Sequence, residues 1–181
     1  EKGRSRKVDD IFEATVQGGR ELVEGLTISP ATRARIMAPL TDFETQATLG
    51  NIFWKTCIDE GVTPREFEER KMVPRPDSVK SFMALMKVAF NAVKAGDSRM
   101  KMQFTFSGEV KGDCFFAIQD GLFKAAEGVA ENPDVHIEAP FEVWMDILTG
   151  KADGQKMFME QKYKATGDFS ILMRMGEIFG K

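Results

Sequence analysis

The amino-acid sequence predicts an α+β fold in which a helical N-terminal part precedes an antiparallel β-sheet of at least four strands with helices around it. Three observations indicate this class. Apolar residues recur at three- and four-residue steps as far as Gly96, which is the helical period. The period then changes to two, since Met102, Phe104 and Phe106 alternate with polar residues. The helical period returns after Pro140 and, apart from one short alternating run, continues to the C-terminal end.

Helix-start signals recur along residues 1–76. Ser, Thr and Asp accept hydrogen bonds from the first free N–H groups of a helix, and proline suits its first position. A Glu three residues after Thr has the spacing of a capping box. The predicted starts are Asp9 or Asp10, Ser29-Pro30, Thr41 with Glu44, and Thr63 with Glu66. The third helix carries Phe43, Phe53 and Trp54 on an apolar stripe and ends before Gly61.

A domain boundary is predicted at residues 70–77, RKMVPRPD, because two closely spaced prolines favour a stiff, extended linker. We therefore divide the chain into a helical extension with its linker, residues 1–76, and a second domain, residues 77–181. The extension has no sheet on which to bury its aromatic stripe. It is expected to dock on the second domain or on another copy of itself, and the latter would make a homodimer.

The second domain is expected to begin with an amphipathic helix that is capped by Asp77 and stopped by Gly96. Turn residues at 108–112 and at Asp120-Gly121 then separate alternating runs, which is typical of hairpins. The predicted strands lie around residues 102–107, 114–118, 122–126 and 134–138.

The C-terminal part is predicted to contain three helices and one more strand. Pro140 opens the first helix and Gly150 ends it, a short helix covers residues 156–160, and residues 163–166 alternate as a fifth strand. Asp168 is expected to cap the last helix. Because that helix is apolar around most of its circumference, it should be covered on two sides, with a pocket between it and the sheet.

The composition narrows the classes of function. The net charge is −3, and Lys and Arg are interspersed with Asp and Glu, so no nucleic-acid partner is expected. No apolar run approaches the length of a membrane span, so no integral membrane association is expected. Cys57 and Cys114 match no metal-binding or redox pair, which favours a reducing, cytoplasmic location. Fifteen Phe and eleven Met suit an irregular core or an adaptable apolar pocket.

Residues 147–175, ILTGKADGQKMFMEQKYKATGDFSILMRM, resemble the C-terminal signature of the sterol carrier protein type 2 family. That signature has a Gly-Lys turn, a helix of the Gln-Lys-Ala-Phe kind, a Lys-x-Lys strand, a Gly-Asn/Asp turn and a final apolar helix. The preceding elements also follow the family's order, so the resemblance covers Asp77 to Phe179. One departure is Gln161, where many members have Gly.

The resemblance implies a five-stranded, mainly antiparallel sheet with helices packed on one face and an apolar tunnel between them. Its ligand would be a fatty acid, a fatty acyl-CoA, a sterol or a quinone-like lipid, with no cofactor, no metal and no catalysis. Gln155 matches the family's helix Gln and is a candidate contact for a polar head group. The apolar ligand-binding candidates are Phe82, Met86, Phe90, Phe104, Phe116, Ile118, Trp144, Leu148, Met157, Phe158, Leu172, Met175 and Phe179.

The N-terminal third has a second resemblance. Residues 36–40, IMAPL, and 50–61, GNIFWKTCIDEG, are similar to the tail that follows the core of some flavodoxin-like, NADPH-dependent FMN reductases. The phosphate-binding loops of such enzymes follow parallel strands, and the sequence shows no such strand–loop–helix unit. The resemblance implies that this chain is the C-terminal part of a fusion and binds no flavin by itself.

Other functions remain as alternatives to lipid binding. The chain could be an accessory or dimerisation module of an FMN- and NADPH-dependent oxidoreductase, or a catalytic fragment that needs a missing half. His136, the only histidine, falls on the polar side of its predicted strand and is expected to be solvated. One histidine in that position supports neither a metal site nor a Ser-His-Asp triad.

Overall fold

The structure, a computed structural model, describes residues 43–179. The first described elements are α1 (Phe43–Asp59), α2 (Pro64–Glu69), α3 (Val79–Ala89), α4 (Ala92–Ala95), β1 (Met100–Ser107) and β2 (Gly112–Gln119). They are followed by β3 (Leu122–Glu127), β4 (Val135–Pro140), α5 (Phe141–Leu148), α6 (Gly154–Met159), β5 (Lys164–Gly167) and α7 (Ser170–Phe179). The helices predicted from Asp9 or Asp10 and from Ser29-Pro30 lie outside the described residues, as do Thr41 and the side chain of Phe43.

The strands form one five-stranded sheet in the order β3-β2-β1-β4-β5. Three of its pairings are antiparallel, and the central strands β1 and β4 are parallel, with Phe104 opposite Ile137. The prediction of a mainly antiparallel five-stranded sheet is therefore confirmed. Asp120 and Gly121 both have positive φ, 52° and 73°, which is the backbone that a tight two-residue hairpin between β2 and β3 requires.

One face of the sheet and helix α3 enclose the apolar core. Phe82 on α3 is fully buried, and its ring centroid lies 5.4 Å from that of Phe104 and 5.3 Å from that of Phe116. The opposite face of the sheet is polar and carries Gln103 and His136. The alternation that predicted these strands thus separates a covered apolar face from a polar one.

The helix predicted from Asp77 to Gly96 is two helices, α3 and α4. Its N-cap is Ser78, whose side chain accepts from the N–H of Ser81, so the assignment of Asp77 as the cap was wrong. The helix breaks at Phe90, which has an extended ψ of 127°, and the side chain of Asn91 caps α4. The backbone N–H of Asn91 also donates to the carbonyl of Ile178 at 3.0 Å, so the break fits against α7.

The proline-rich segment before α3 contains neither helix nor strand, but it is fastened to the fold. The guanidinium of Arg75 donates to Asp146 Oδ1 at 2.6 Å and to the carbonyl of Glu142 at 3.2 Å. The backbone N–H of Arg75 donates to Thr56 Oγ1 at 2.8 Å. One residue thereby ties α1 to α5. The division of the chain at this segment stays a prediction.

Helix α1 packs against α3 and buries Ile52 and Cys57. Its other side remains exposed in the described part of the chain, where Trp54 is 57% and Ile58 77% accessible. Phe53, expected on the same stripe, instead contacts Phe67 of α2 with ring centroids 4.9 Å apart. Within residues 43–179, no helix has the length and apolar character needed to cross a bilayer.

Candidate ligand-binding cleft

An apolar cleft of about 520 Å³ lies between α5, α6 and α7, and Met86 of α3 contributes to its wall. It is partly open to solvent. We call it the apolar cleft and define it by its lining, which is Met86, Trp144, Ile147, Leu148, Gly154, Gln155, Phe158, Tyr163, Phe169, Leu172, Met173, Met175, Gly176 and Phe179. The pocket was expected between the last helix and the sheet. There Phe179 of α7 packs on Phe123 of β3, with ring centroids 5.4 Å apart, and the cleft opens between α7 and the helices α5 and α6.

Aromatic rings form one wall of the apolar cleft. Tyr163 stands at the centre, with its ring centroid 5.5 Å from that of Trp144 and 5.5 Å from that of Phe158. Phe158 in turn meets Phe169 at 5.5 Å in an edge-to-face arrangement. Such geometry is favourable for aromatic pairs, so these contacts stabilise the wall.

The opposite wall belongs to α7 and is softer. Met175 is nearly buried and Leu172 is half-buried, while Met173 is 79% accessible. The expectation that the last helix is covered on two sides is not met at Met173 in the described chain, because this side chain borders the opening. Unbranched Met side chains change rotamer readily, so this wall can adapt to ligands of different shape.

Helix α6 is positioned by its caps. The carboxylate of Asp153 accepts from the N–H of Lys156 at 2.7 Å and starts the helix. A Cβ at Gly154 would lie 3.2 Å from Ile147 Cγ2, so a small residue lets α6 approach α5 closely. At the other end Gln161 adopts φ 56°, and the N–H of Lys162 closes on the carbonyl of Met157.

The lining is electrically neutral. None of the described residues that border the apolar cleft carries a charge at neutral pH. Burial, together with the nearby negative charge of Asp153, raises the pKa of Tyr163, which keeps its phenol protonated. That hydroxyl donates to the carbonyl of Gly154 at 3.2 Å. Gln155, which is exposed, and Trp144, through its indole N–H, also bring polar groups to the described lining.

The predicted ligand-binding residues fall into two groups. Those that border the apolar cleft are Met86, Trp144, Leu148, Gln155, Phe158, Leu172, Met175 and Phe179. Those that lie outside its lining are Phe82, Phe90, Phe104, Phe116, Ile118 and Met157, all of them in the core or packed against it. Whether any of these side chains contacts a ligand stays a prediction.

Several lining residues were not among the sequence candidates: Ile147, Gly154, Tyr163, Phe169, Met173 and Gly176. Tyr163 carried a usable signal, since it follows Lys162 at the beginning of the strand in the family-like segment. Phe169 and Met173 gave none that distinguished them from ordinary helix-face residues, because the cleft that they border is formed by other elements.

A polar cluster on the far face of the sheet contains the only histidine. The hydroxyl of Thr105 donates to Asp113 Oδ1 at 2.6 Å and accepts from His136 Nε2 at 2.9 Å. His136 lies on the polar face of the sheet, where it was expected, and it is half-buried beside this hydrogen bond across neighbouring strands. The Thr105 hydroxyl gives its one hydrogen to the carboxylate of Asp113, so it can only accept from His136. His136 is therefore the donor in this pair and does not activate the hydroxyl as a nucleophile.

Metal ligation has no support in the part of the chain that the structure describes. There, no group of three or more His, Cys, Asp or Glu side chains is placed to hold a metal ion. Cys57 and Cys114 are both buried and free, and both are therefore removed from solvent-borne metals and oxidants. The apolar cleft combines volume with a built apolar wall.

Comparison with known proteins gives a fold and a family. No curated protein sequence is significantly similar to the chain. Two solved structures of a sec-alkylsulfatase each align with 98% of it: the PisA1 double mutant (15% identity, TM-score 0.55) and Pisa1 from Pseudomonas sp. (17%, 0.50). The chain spans only 29% and 28% of those two proteins, and at these identities the likeness concerns the fold alone.

Sterol Carrier Protein 2 Like 2 from Aedes aegypti aligns with 55% of this chain over 91% of its own length, with 15% identity and a TM-score of 0.45. The model of the SCP-2 sterol transfer family matches residues 84–180, which include α5, α6, α7 and the whole sheet. Because this match covers more than half of the sequence, the chain belongs to the SCP-2 sterol transfer family.

Proposed function

We propose that the protein binds and carries a lipid-like molecule in the apolar cleft without catalysing a reaction on it. The observation that supports this most directly is the cleft itself, about 520 Å³ with an apolar lining, on the fold of a sterol transfer family. Ligand sites in proteins commonly have volumes of roughly 300–1,000 Å³. The candidate ligands are a fatty acid, a fatty acyl-CoA, a sterol and a quinone-like lipid.

Burial of apolar ligand surface supplies the affinity. Each methylene withdrawn from water contributes about 0.8 kcal/mol before the costs of association are subtracted. The adaptable wall formed by Met173 and Met175 admits chains of different shape, so selectivity for the apolar part is low. We assign direct contact to the predicted residues that border the cleft and a supporting role to those packed beneath it.

A steric variant tests this proposal. Leu172→Trp adds volume to a half-buried position in the lining, and Leu122→Trp adds the same ring at an exposed position on β3. The measurement is the rise in Tm that 1-dodecanol produces in each protein. A ligand present at 100 times its Kd adds about 2.7 kcal/mol of stability, which is readily detected.

We expect the parent and Leu122→Trp to respond alike and Leu172→Trp to lose at least tenfold in affinity. An organic extract of the purified protein, examined by mass spectrometry, is the complementary measurement and should contain an apolar molecule. If 1-dodecanol, a fatty acid, a fatty acyl-CoA, a sterol and a quinone-like lipid all leave Tm of the parent unchanged, the carrier function is wrong.

The same proposal includes a cytoplasmic location, since Cys57 and Cys114 are free and lie in a fold that does not join them. It also includes an upstream partner domain of the FMN-reductase kind, to which this chain would present or withhold a quinone-like molecule. That second part depends on the resemblance of the N-terminal third. Reading the gene upstream of Glu1 tests it directly.

A second candidate function is a dimerisation or accessory module. The exposure of Trp54 and Ile58 on α1 favours it, because two large apolar side chains on one helix face are well suited to an interface. Sedimentation of the parent and of Trp54→Glu tests this second candidate function. A dimer that dissociates in the variant supports the module, and two monomeric species exclude a dimer through this face.

A further inference from the structure

A stiff segment of the chain runs between α1 and α5 and is fastened to both. Pro74 and Pro76 flank Arg75, so the backbone at Arg75 has little conformational freedom. The N–H of Arg75 donates to Thr56 Oγ1 at 2.8 Å. The buried Thr56 hydroxyl donates in turn to the carbonyl of Ile52 at 2.7 Å, within α1. Helix α1 and the two prolines therefore fix the point from which the Arg75 side chain extends.

The guanidinium of Arg75 contacts the side of α5 that faces away from the apolar cleft. It donates to Asp146 Oδ1 at 2.6 Å and to the carbonyl of Glu142 at 3.2 Å. Asp146 is two residues from Trp144 and two from Leu148, both of which line the cleft. At 100° per residue, these side chains lie about 200° around the helix from Asp146. Helix α5 is therefore placed between the cleft on one side and Arg75 on the other.

The turn after α5 is held from the same direction. The carbonyl of Asp146 accepts from the N–H groups of Lys151 and Ala152 at 2.8 and 3.0 Å. The ammonium group of Lys151 pairs with the carboxylate of Glu60, which directly follows α1. Helix α6 begins at Gly154, after this turn, and contributes to the same cleft. A displacement of α5 at Asp146 would thus be passed on to the start of α6.

We infer that Arg75 is a positioning residue for the apolar cleft: through Asp146 it holds α5 in place and so sets the width of the cleft and its affinity for apolar ligands. This inference rests on the proposed function. Arg75 is not part of the described lining, so its effect passes through α5. If α5 is free to withdraw, the ligand loses close contact along one wall, and affinity falls. Arg75 and α1 both precede residue 84, where the family match begins.

The test measures the position of α5 and the affinity separately. In a Trp54→Phe background, Trp144 is the remaining tryptophan of the sequence, and it is buried on α5 in the cleft lining. Its ligand-free emission reports the position of α5, and its change on titration with 1-dodecanol or, separately, palmitic acid reports binding.

Arg75→Ala should move the ligand-free emission to longer wavelength, because the indole becomes more accessible to water. It should also weaken the binding of both probes about tenfold, which corresponds to about 1.4 kcal/mol. Arg75→Lys keeps the charge but loses the fork of donors, so it should lie between the parent and Arg75→Ala.

Two control variants separate positioning from a general loss of stability. Val135→Ala truncates a fully buried side chain of β4 outside the described lining, and it lowers stability without touching α5 or Arg75. Arg65→Ala removes an exposed ion pair with Glu69 on α2. With all titrations made well below the lowest Tm, both variants should keep the emission of the parent and its affinity within about twofold.

A double-mutant cycle tests the route of the effect. Because Arg75 acts through Asp146, Asp146→Ala should have the same effects, and the double variant should bind no more weakly than either single variant. Additive losses, or an unchanged emission or affinity in Arg75→Ala, would overturn the positioning role while the carrier function stands. If the parent binds none of the candidate lipids, the carrier function fails and the positioning role fails with it.

Discussion

Gln161 and Lys71 occupy the left-handed backbone region, with φ of 56° and 52°. Each follows the end of a short helix, and the next N–H returns to a carbonyl one turn back, to Met157 after α6 and to Phe67 after α2. A side chain with a Cβ is strained in this conformation by about 1–2 kcal/mol. Gln161 therefore keeps the turn that Gly makes in many family members, at a cost in stability.

Gln161→Gly is expected to stabilise the protein by about 0.5–1 kcal/mol, the relieved strain less the larger backbone entropy of Gly in the unfolded chain. Guanidinium denaturation with an unchanged m-value measures this difference. Gln119→Gly, made in strand β2, is the matched control and should destabilise by a similar amount. A loss of stability in Gln161→Gly would contradict the strain argument.

Burial of Cys114 in the sheet changes the pKa of its thiol. Burial, followed by the negative charges of Asp113 and Glu127, raises the pKa of its thiol from 9.0 to about 12. The folded protein therefore retains this proton while the unfolded chain releases it. The stabilisation is fully present below pH 9 and is lost as the pH rises toward 12.

Between pH 9 and pH 11, the free energy of unfolding should fall more steeply in the parent than in Cys114→Ala. The slopes of the two proteins should differ by up to about 1.4 kcal/mol per pH unit. Urea denaturation at half-unit pH steps measures the two slopes. Because other alkaline groups titrate equally in both proteins, the difference isolates Cys114. Parallel curves for the two proteins would show that the thiol is accessible to water.

At the scale of elements, the helices are held to one another by few but specific polar contacts. Arg75 connects the segment before α3 to α5 through Asp146 and the carbonyl of Glu142, and the carboxylate of Asp146 lies 2.6 Å away. Its side chain is only 29% accessible, so solvent screens the pair less than it screens a surface ion pair. The contact fixes α5, one wall of the apolar cleft, relative to α1.

Arg75→Ala should lower the free energy of unfolding by about 1–3 kcal/mol, since it removes charge-assisted hydrogen bonds from a partly buried site. Arg65→Ala removes a comparable pair with Glu69 whose arginine is 87% accessible, and it should cost less than about 0.5 kcal/mol. Thermal melts of both variants measure the contrast. Equal losses would mean that Arg75 acts as an ordinary surface charge.

At the scale of the whole molecule, α1 packs against α3. Helix α3 faces the sheet with Phe82 and Met86, and it buries Ala84 and Leu85 on its other side, where α1 packs. The family model begins at residue 84, within α3, so α1 and α2 lie outside the matched region, and α1 packs against α3.

A chain shortened to residues 77–181 should consequently be less stable by at least about 2 kcal/mol, because it loses the burial of Ile52 and Cys57 and the contacts of Arg75. Calorimetry of the shortened and full chains measures the difference in Tm. Sizing of both shows whether the uncovered face of α3 associates. Equal Tm values would show that the extension is energetically independent.

The sequence by itself determined the elements and most of their ends. Alternation identified the strands, and the capping box at Thr63 and the cap at Asp168 occur where they were predicted. These signals are local, since a cap or a turn depends on groups within about four residues of one another. The exception is the break between α3 and α4 at Phe90 and Asn91. It depends on the hydrogen bond from the N–H of Asn91 to the carbonyl of Ile178, near the other end of the chain.

Only the tertiary structure decided which apolar residues surround empty volume. Phe104 and Phe116 have the same pattern as a cavity wall would have, but their rings fill the space beneath Phe82. In the sequence, Phe169 and Met173 look like ordinary residues of an apolar helix, yet they border the apolar cleft. Hydrophobic periodicity reports that a side chain turns away from water, whereas a cavity arises where separate elements fail to meet, and that is set by their packing.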